Sequence, residues 1–317
     1  MISILIPTFN RTKILTQTLK YYAKQKFEGE ILIGDSSDEI VFQKLNDKIK
    51  NLSLDVKTFH TPHLNNYATT NYIIDKSKYD FCIWSPDDDL IYIPALKKAI
   101  NFLKSNSDFC TVWGITMMYK HFKENNSFKS YYINFQTSKS IESNNPIQRL
   151  RDHYNFYTSV FIGVSRKIAL KNALSGTNKV SITKSKSVEL WQMSQQLSEL
   201  FVSSSLVLQG KIKSLNSLYW IRNIHDERYV FSNIENIFFD KKTIDTFSFF
   251  EKKLISILNN DYDIISNNNE IRGLVFRFIF RKKLNEKPSI INFFYYLFFG
   301  IRYFFSRLQF KQIQKYI

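Results

Sequence analysis

Apolar runs of strand length alternate with segments of helical periodicity over the first hundred residues, and no other feature restricts the possible folds so far. Residues 2–6 read as a buried strand broken by Pro7, after which Ile14, Leu15, Leu19, Tyr22 and Ala23 recur at helical spacing. Residues 30–34 make a second short strand, ended by Asp35, Ser36, Ser37 and Asp38. A helix is expected over 40–49, a third strand over 54–59, another helix over 64–74 and a further strand over 81–84. Strand and helix alternating at this spacing predict a doubly wound, mostly parallel α/β sheet.

Three successive carboxylates, Asp87, Asp88 and Asp89, close the apolar run 79–86. Like charges at the end of a core strand repel unless something positive sits among them, and a divalent cation suits hard oxygen ligands. Ligands of open α/β sheets collect at the carboxyl ends of the parallel strands, so a cation held there would meet a phosphorylated substrate. The alternative is an acidic loop tip ahead of a helix opened by Pro94, Ala95 and Leu96.

Beyond the carboxylates a helix is expected over 95–103 and a strand over 109–115. Residues 120–143 are polar and rich in Asn, Ser and Lys, the composition of an excursion or loop. A strand over 156–165 then leads into a helix over 166–174, and 175–187 reads as a mobile loop. Leu190, Met193, Leu197, Leu200 and Phe201 share one face of a helix starting near Glu189, and 215–224 closes the core. The expected organisation is one domain over 1–228, divided into a half with the pattern of nucleotide binding (1–115) and a second half (116–228) that the resemblance given below makes the acceptor half. A helical extension follows over 229–317.

Charge is uneven. Of a net +16, residues 271–317 hold ten Lys or Arg against Glu286 alone, a net +9, interleaved with Phe276, Phe278 and Phe280. The apolar run 290–301 falls short of the ~20 residues that span a bilayer. Basic and bulky apolar residues together describe an amphipathic anchor lying on anionic lipid, with a helical cap packed on the domain as the alternative. Cys82 and Cys110 both sit in strand-like segments and read as core residues of a reducing compartment. With no secretory signal pattern at the start, a cytoplasmic chain attached peripherally to the inner membrane face is expected.

Strand ends at Pro7-Thr8-Phe9-Asn10-Arg11, Gly34-Asp35 and Asp87-Asp88-Asp89, in this order and spacing, resemble the GT-A-fold glycosyltransferases. The likeness is to the inverting family 2 type of bacterial surface-polysaccharide synthesis, and it is closest over 1–115. It implies a Rossmann-like sheet that binds a nucleotide-sugar donor, a UDP-sugar foremost, and passes the sugar to a glycan or lipid-linked acceptor. By that resemblance Pro7, Thr8, Asn10, Asp35 and Ser36 hold the nucleoside, and Arg11 neutralises phosphate. Asp87 and Asp88 face the donor, with Asp87 and Asp89 on Mn²⁺ or Mg²⁺. Asp35 could equally be a turn residue after Gly34. The family's Ala-Arg-Asn stretch corresponds to Ala68, Thr69, Thr70 and Asn71, so Asn71 keeps its register while Thr70 replaces the Arg. A late His of such enzymes corresponds to His225, which completes the metal shell or is a surface residue, and the nearby Arg222 can hold diphosphate. Glu189 matches the general base at a helix start, where acidic residues are favoured in any case. Trp191 offers a stacking surface for an acceptor sugar, or belongs to the core.

Two other classes compete. A sugar nucleotidylyltransferase shares the doubly wound core but begins with a Gly-rich loop, and residues 5–11 contain no Gly. A pI near 9.6 fits an anionic-surface binding module, yet the charge lies among long apolar runs rather than on a groove-reading helix, which argues against nucleic acid.

Overall fold

The computed structural model describes residues 1–124, 127–137, 139–175, 177, 188–224, 252 and 254–257; the side chains of 120–134 and 188–197 lie outside that description. The expected basic extension beyond residue 257 lies outside the described residues as well.

Four parallel strands make the first half of the sheet: β1 (Ser3–Thr8), β2 (Glu30–Asp35), β3 (Asp55–His60) and β4 (Phe81–Trp84), in the order β3-β2-β1-β4. β1 and β2 are interior strands of the sheet and are buried along nearly their whole length, on both faces, so they read as near-continuous apolar runs. The helices between them are α1 (Thr12–Lys24), α2 (Glu39–Ile49) and α3 (Asn66–Ile74). Leu15, Leu19 and Tyr22 form the buried stripe of α1, at the spacing the sequence predicts.

β1 does not stop at Pro7 as expected but runs on to Thr8, with Pro7 opposite Gly34 and Thr8 opposite Asp35. Leu5 and Pro7 face the β4 side, and β4 leaves at that level: the amide of Ser85 donates to the Leu5 carbonyl. Pro7 therefore stands where no donor is required, and its missing N–H costs nothing.

The second half is mixed. β5 (Leu90–Ile91) and α4 (Ile93–Ser105) lead to β6 (Phe109–Glu124), β7 (Ser127–Gln136) and α5 (Pro146–Asn155). A 3-10 turn over Val160–Ile162 precedes β8 (Val164–Arg166), α6 (Lys167–Leu174), α7 (Val188–Gln209) and β9 (Lys211–Asn223). The order continues β4-β8-β6-β9-β5, with β7 paired to β6. β6 and β9 run with the first four strands, and β5, β7 and β8 run against them.

Two expectations fail here. Residues 120–124 and 127–136 are strand, not loop: β6 continues to Glu124 and pairs with β7 in an antiparallel ladder with an irregularity between Met118 and Tyr119. Ladder hydrogen bonds belong to the backbone, so a polar Ser- and Lys-rich composition does not prevent them. The strand expected over 156–165 is only Val164–Arg166, because Val160, Phe161 and Ile162 bury themselves as a 3-10 turn with Phe161 against Trp84, ring centroids 4.6 Å apart. A short apolar run does not distinguish the two solutions.

Cys82 and Cys110 are buried, and burial pushes both thiols up to about 11, which suits core residues. Helix ends are closed by long basic side chains. The Arg149 guanidinium donates to the Val207 and Leu208 carbonyls at the end of α7, both at 2.8 Å, and Arg166 donates to the Leu103 carbonyl in the last turn of α4 and to the Asn106 and Phe109 carbonyls beyond it.

Candidate active site

The carboxyl ends of β1, β2, β3 and β4 and the end of β9 meet at one edge of the sheet. β1 ends at Thr8, and the chain turns through Asn10 in a left-handed conformation (φ 56°) that Asn tolerates better than most residues. That turn sends Arg11 toward the β4 end. One guanidinium nitrogen, Nη1, donates to Asp87 Oδ1 at 2.7 Å and to Asp88 Oδ2 at 2.8 Å, while the Thr8 hydroxyl donates to Asp87 Oδ2 at 2.7 Å. From α1, the Thr18 hydroxyl holds the Asp87 carbonyl at 2.9 Å.

Asp87 is buried. Burial first, then the neighbouring Asp88, push its carboxyl above the usual range against the pull of Arg11 and Thr8. Arg11 loses something to burial, but Asp87 and Asp88 more than restore it and hold the guanidinium charged. Asp89 is also buried and accepts the backbone N–H of Asn223 at 2.9 Å, which fastens the end of β9 to the carboxylate triplet. Tyr119 is buried nearby: burial, then Asp89 and Asp88, raise its phenol, so it keeps its proton.

The second cluster forms where β2 and β3 end. Asp35 is buried and accepts the Ser37 N–H at 2.9 Å in an Asx turn, the turn role the sequence leaves open for it. The Ser37 hydroxyl in turn accepts the Asn10 N–H at 2.7 Å, tying the β1 and β2 ends together. Ser36 Oγ lies 3.2 Å from Thr61 Oγ1 and 3.0 Å from Thr69 Oγ1. α3 can bring Thr69 there because Gly34 has no side chain: a Cβ at that position would collide with Thr69 Cγ2.

Thr8, Arg11, Asp87 and Asp88 therefore come together where β1 and β4 end, with Pro7 and Asn10 on the β1 side, and Asp35 and Ser36 stand at the neighbouring β2 end. Asn71 is half-buried on α3, whose N-terminus is capped by Asn65 instead. Thr70, where the family pattern has Arg, turns its hydroxyl back to the Asn66 carbonyl and contributes to its own helix alone. Arg222 is half-buried on β9 with its guanidinium 5.0 Å from the Trp220 ring, and its Nε has no hydrogen-bond partner among the described residues. Glu189 and Trp191 lie in the first turn of α7, with side chains outside the described residues, and His225 lies outside them altogether.

Sequence reasoning missed Thr18, Ser37, Thr61, Thr69, Tyr119 and the exposed Phe9 ring (60 % accessible). Only Phe9 carries a sequence signal, a large aromatic immediately after a strand end. Arg11 is the positive group among Asp87 and Asp88, so their mutual repulsion does not by itself demand a cation. Among the described residues, no three His, Cys, Asp or Glu side chains form a metal-binding group. The donor chemistry still fits Mg²⁺ or Mn²⁺, because carboxylate oxygens are hard and each keeps a second lone pair beyond one hydrogen bond.

The family model of glycosyl transferase family 2 matches residues 3–171, more than half of the chain. No curated protein matches it in sequence. Among solved structures, S. aureus TarS 1–349 is 18% identical, with a TM-score of 0.52 over 88% of this chain and 72% of that one. The same fragment in complex with UDP-GlcNAc is 20% identical with a TM-score of 0.53 and the same coverage. A longer TarS chain is 18% identical with a TM-score of 0.52, and this chain, 90% covered, spans 44% of it. At such identity the likeness is one of fold, the GT-A arrangement. The strand-end geometry and the family match together place the chain in glycosyl transferase family 2: it is a GT-A glycosyltransferase.

Proposed function

We propose that this glycosyltransferase moves a sugar from a UDP-sugar to a hydroxyl of a glycan or lipid-linked acceptor in surface-polysaccharide synthesis, with a divalent cation on the donor diphosphate. The observation that carries the reading is the convergence of Thr8, Arg11, Asp87 and Asp88 beside the Asp35–Ser37 turn. Uncharged hydroxyls and a turn carboxylate suit a nucleoside, and a guanidinium next to paired carboxylates suits a diphosphate or its cation. TarS in complex with UDP-GlcNAc has this fold, which supports UDP as the nucleotide.

In this reading Asp35 and Ser36 hold base and ribose, with Pro7, Thr8, Asn10 and Asn71 around them and Phe9 as a surface for the base. Asp87, Asp89 and His225 would hold Mn²⁺ or Mg²⁺, which neutralises charge on the leaving diphosphate. Arg11, Asp88 and Arg222 orient the phosphates. Glu189 takes the proton of the acceptor hydroxyl as that oxygen bonds to the anomeric carbon and the bond to the diphosphate oxygen breaks, with inversion. Trp191 lies under the acceptor.

Thermal unfolding tests the core of this. UDP with Mn²⁺ at about 100 times its Kd should add ~2.7 kcal/mol of stability, and Asp89→Asn, which keeps an acceptor for Asn223, should abolish the metal-dependent part. A melting temperature that no nucleoside diphosphate moves, with or without Mn²⁺, would end the reading.

The basic, aromatic extension would lie on the inner, anionic face of a membrane. No helix among the described residues is long and apolar enough to cross one. Co-sedimentation with anionic vesicles at low salt, weakening as salt rises, is expected of the full chain, and indifference to those vesicles would make the extension a cap on the domain.

A further inference from the structure

Behind the nucleoside cluster, on the side away from Asp87, stands a side chain that neither the sequence nor the family pattern singles out. His60 is the last residue of β3 and the register partner of Asp35. Its Nε2 lies 2.8 Å from the Ser37 carbonyl and its Nδ1 lies 2.9 Å from Glu39 Oε2. Both neighbours are acceptors only, so each ring nitrogen donates when both bonds are made. Phe42 of α2 covers one face of the ring, centroids 4.7 Å apart and planes 14° from parallel. One ring thus spans β3, the β2–α2 turn and the first two turns of α2.

Ser37 is the centre of what His60 holds. Its N–H is on Asp35, its hydroxyl receives Asn10, and its carbonyl is the group that His60 takes. Next to it, the Thr61 N–H donates to the Asp35 carbonyl at 2.8 Å. A turn between strand and helix has few ladder bonds of its own, and its backbone groups are fixed only by such partners. We infer that His60 is a positioning residue for donor binding: it holds the Ser37 carbonyl and Glu39 so that Asp35, Ser36 and Asn10 keep the spacing a nucleoside needs. This rests on the nucleotide-site reading above.

Position argues for a local role over a global one. Glu39 is 61% exposed at its side chain, the imidazole is partly exposed, and Phe42 is half-buried, so the latch lies at the rim of the core. Breaking it should free the turn while leaving the sheet intact, and a freed turn must be ordered again each time a nucleotide binds.

Two measurements on the full chain test this. Hydrogen exchange needs no ligand: in His60→Ala, the Asn10 and Ser37 amides should exchange about tenfold faster, while amides of Ile4 and Leu32 keep their wild-type protection. Unchanged exchange at Asn10 and Ser37 would overturn the proposal whatever the protein binds. Calorimetry with UDP and Mn²⁺ supplies the second arm. His60→Ala should weaken UDP by about tenfold, and His60→Gln, which can still offer one N–H to the Ser37 carbonyl, should recover part of the loss. Equal UDP affinity in wild type and His60→Ala would also overturn it, whereas a wild type that ignores UDP but loses turn protection in His60→Ala defeats the nucleotide reading and leaves the latch standing.

Discussion

Glu189→Gln is expected to slow sugar transfer by about 10²–10⁴-fold, the usual worth of a general base, with UDP affinity changed by less than about twofold. The amide keeps the size and the hydrogen-bonding oxygen of the carboxylate and loses its basicity, so a step that needs a proton acceptor suffers while ground-state donor binding does not. Glu189 stands in the first turn of α7. Near its end, the Leu206 carbonyl accepts from the Cys110 thiol at the start of β6. Two turns earlier, Glu199 meets Ser159 at 2.5 Å and Tyr157 at 3.5 Å, close in sequence to Phe161, which packs on Trp84. Trp84 is three residues from Asp87, so these contacts lead from the middle of α7 to the strand that precedes the carboxylates. Donor consumption and UDP release measured side by side would decide the matter. Transfer at the wild-type rate would move the base to another acidic residue, Asp152 first.

The second large effect concerns stability. His153 on α5 is fully buried beside Tyr154 and Tyr157, ring centroids at 5.7 and 5.0 Å, and among the described residues neither ring nitrogen has a hydrogen-bond partner. Burial without a partner disfavours the charged ring, and its pKa falls from 6.5 to about 3. The sign follows from linkage. Below pH 6.5 the unfolded chain takes up a proton that the folded chain refuses, so stability is complete above 6.5 and is lost progressively as the pH falls toward about 3. By pH 4.5 the loss should be roughly 2.7 kcal/mol, two pH units at about 1.4 kcal/mol each. His153→Phe fills a similar volume with a ring that cannot be charged. Unfolding free energies of the two proteins from denaturant titrations should therefore diverge by that amount between pH 7.5 and 4.5, in favour of the variant at the acid end. Parallel pH profiles would show that the imidazole is not kept neutral in the fold.

Local pattern and fold agree wherever a strand is buried on both faces. β1, β2 and β4 are apolar runs because their residues are buried on both faces of the sheet, and each ends in polar residues, so the succession of strands and helices could be read along the chain. Periodicity fails where burial is one-sided or absent. The β6–β7 ladder is held by backbone pairing that polar residues allow, and β8 is a three-residue strand between β4 and β6 that a longer apolar run disguises. What only the tertiary structure decided are contacts between residues far apart in sequence: Arg11 on Asp87 across 76 positions, Asp89 on the Asn223 amide across 134, His60 on the Ser37 carbonyl across 23. A run of carboxylates announces that a positive group must approach. Whether that group is a metal ion or a guanidinium depends on which way a left-handed turn at Asn10 sends the next side chain, and that direction exists only once β1, β2 and β4 lie side by side.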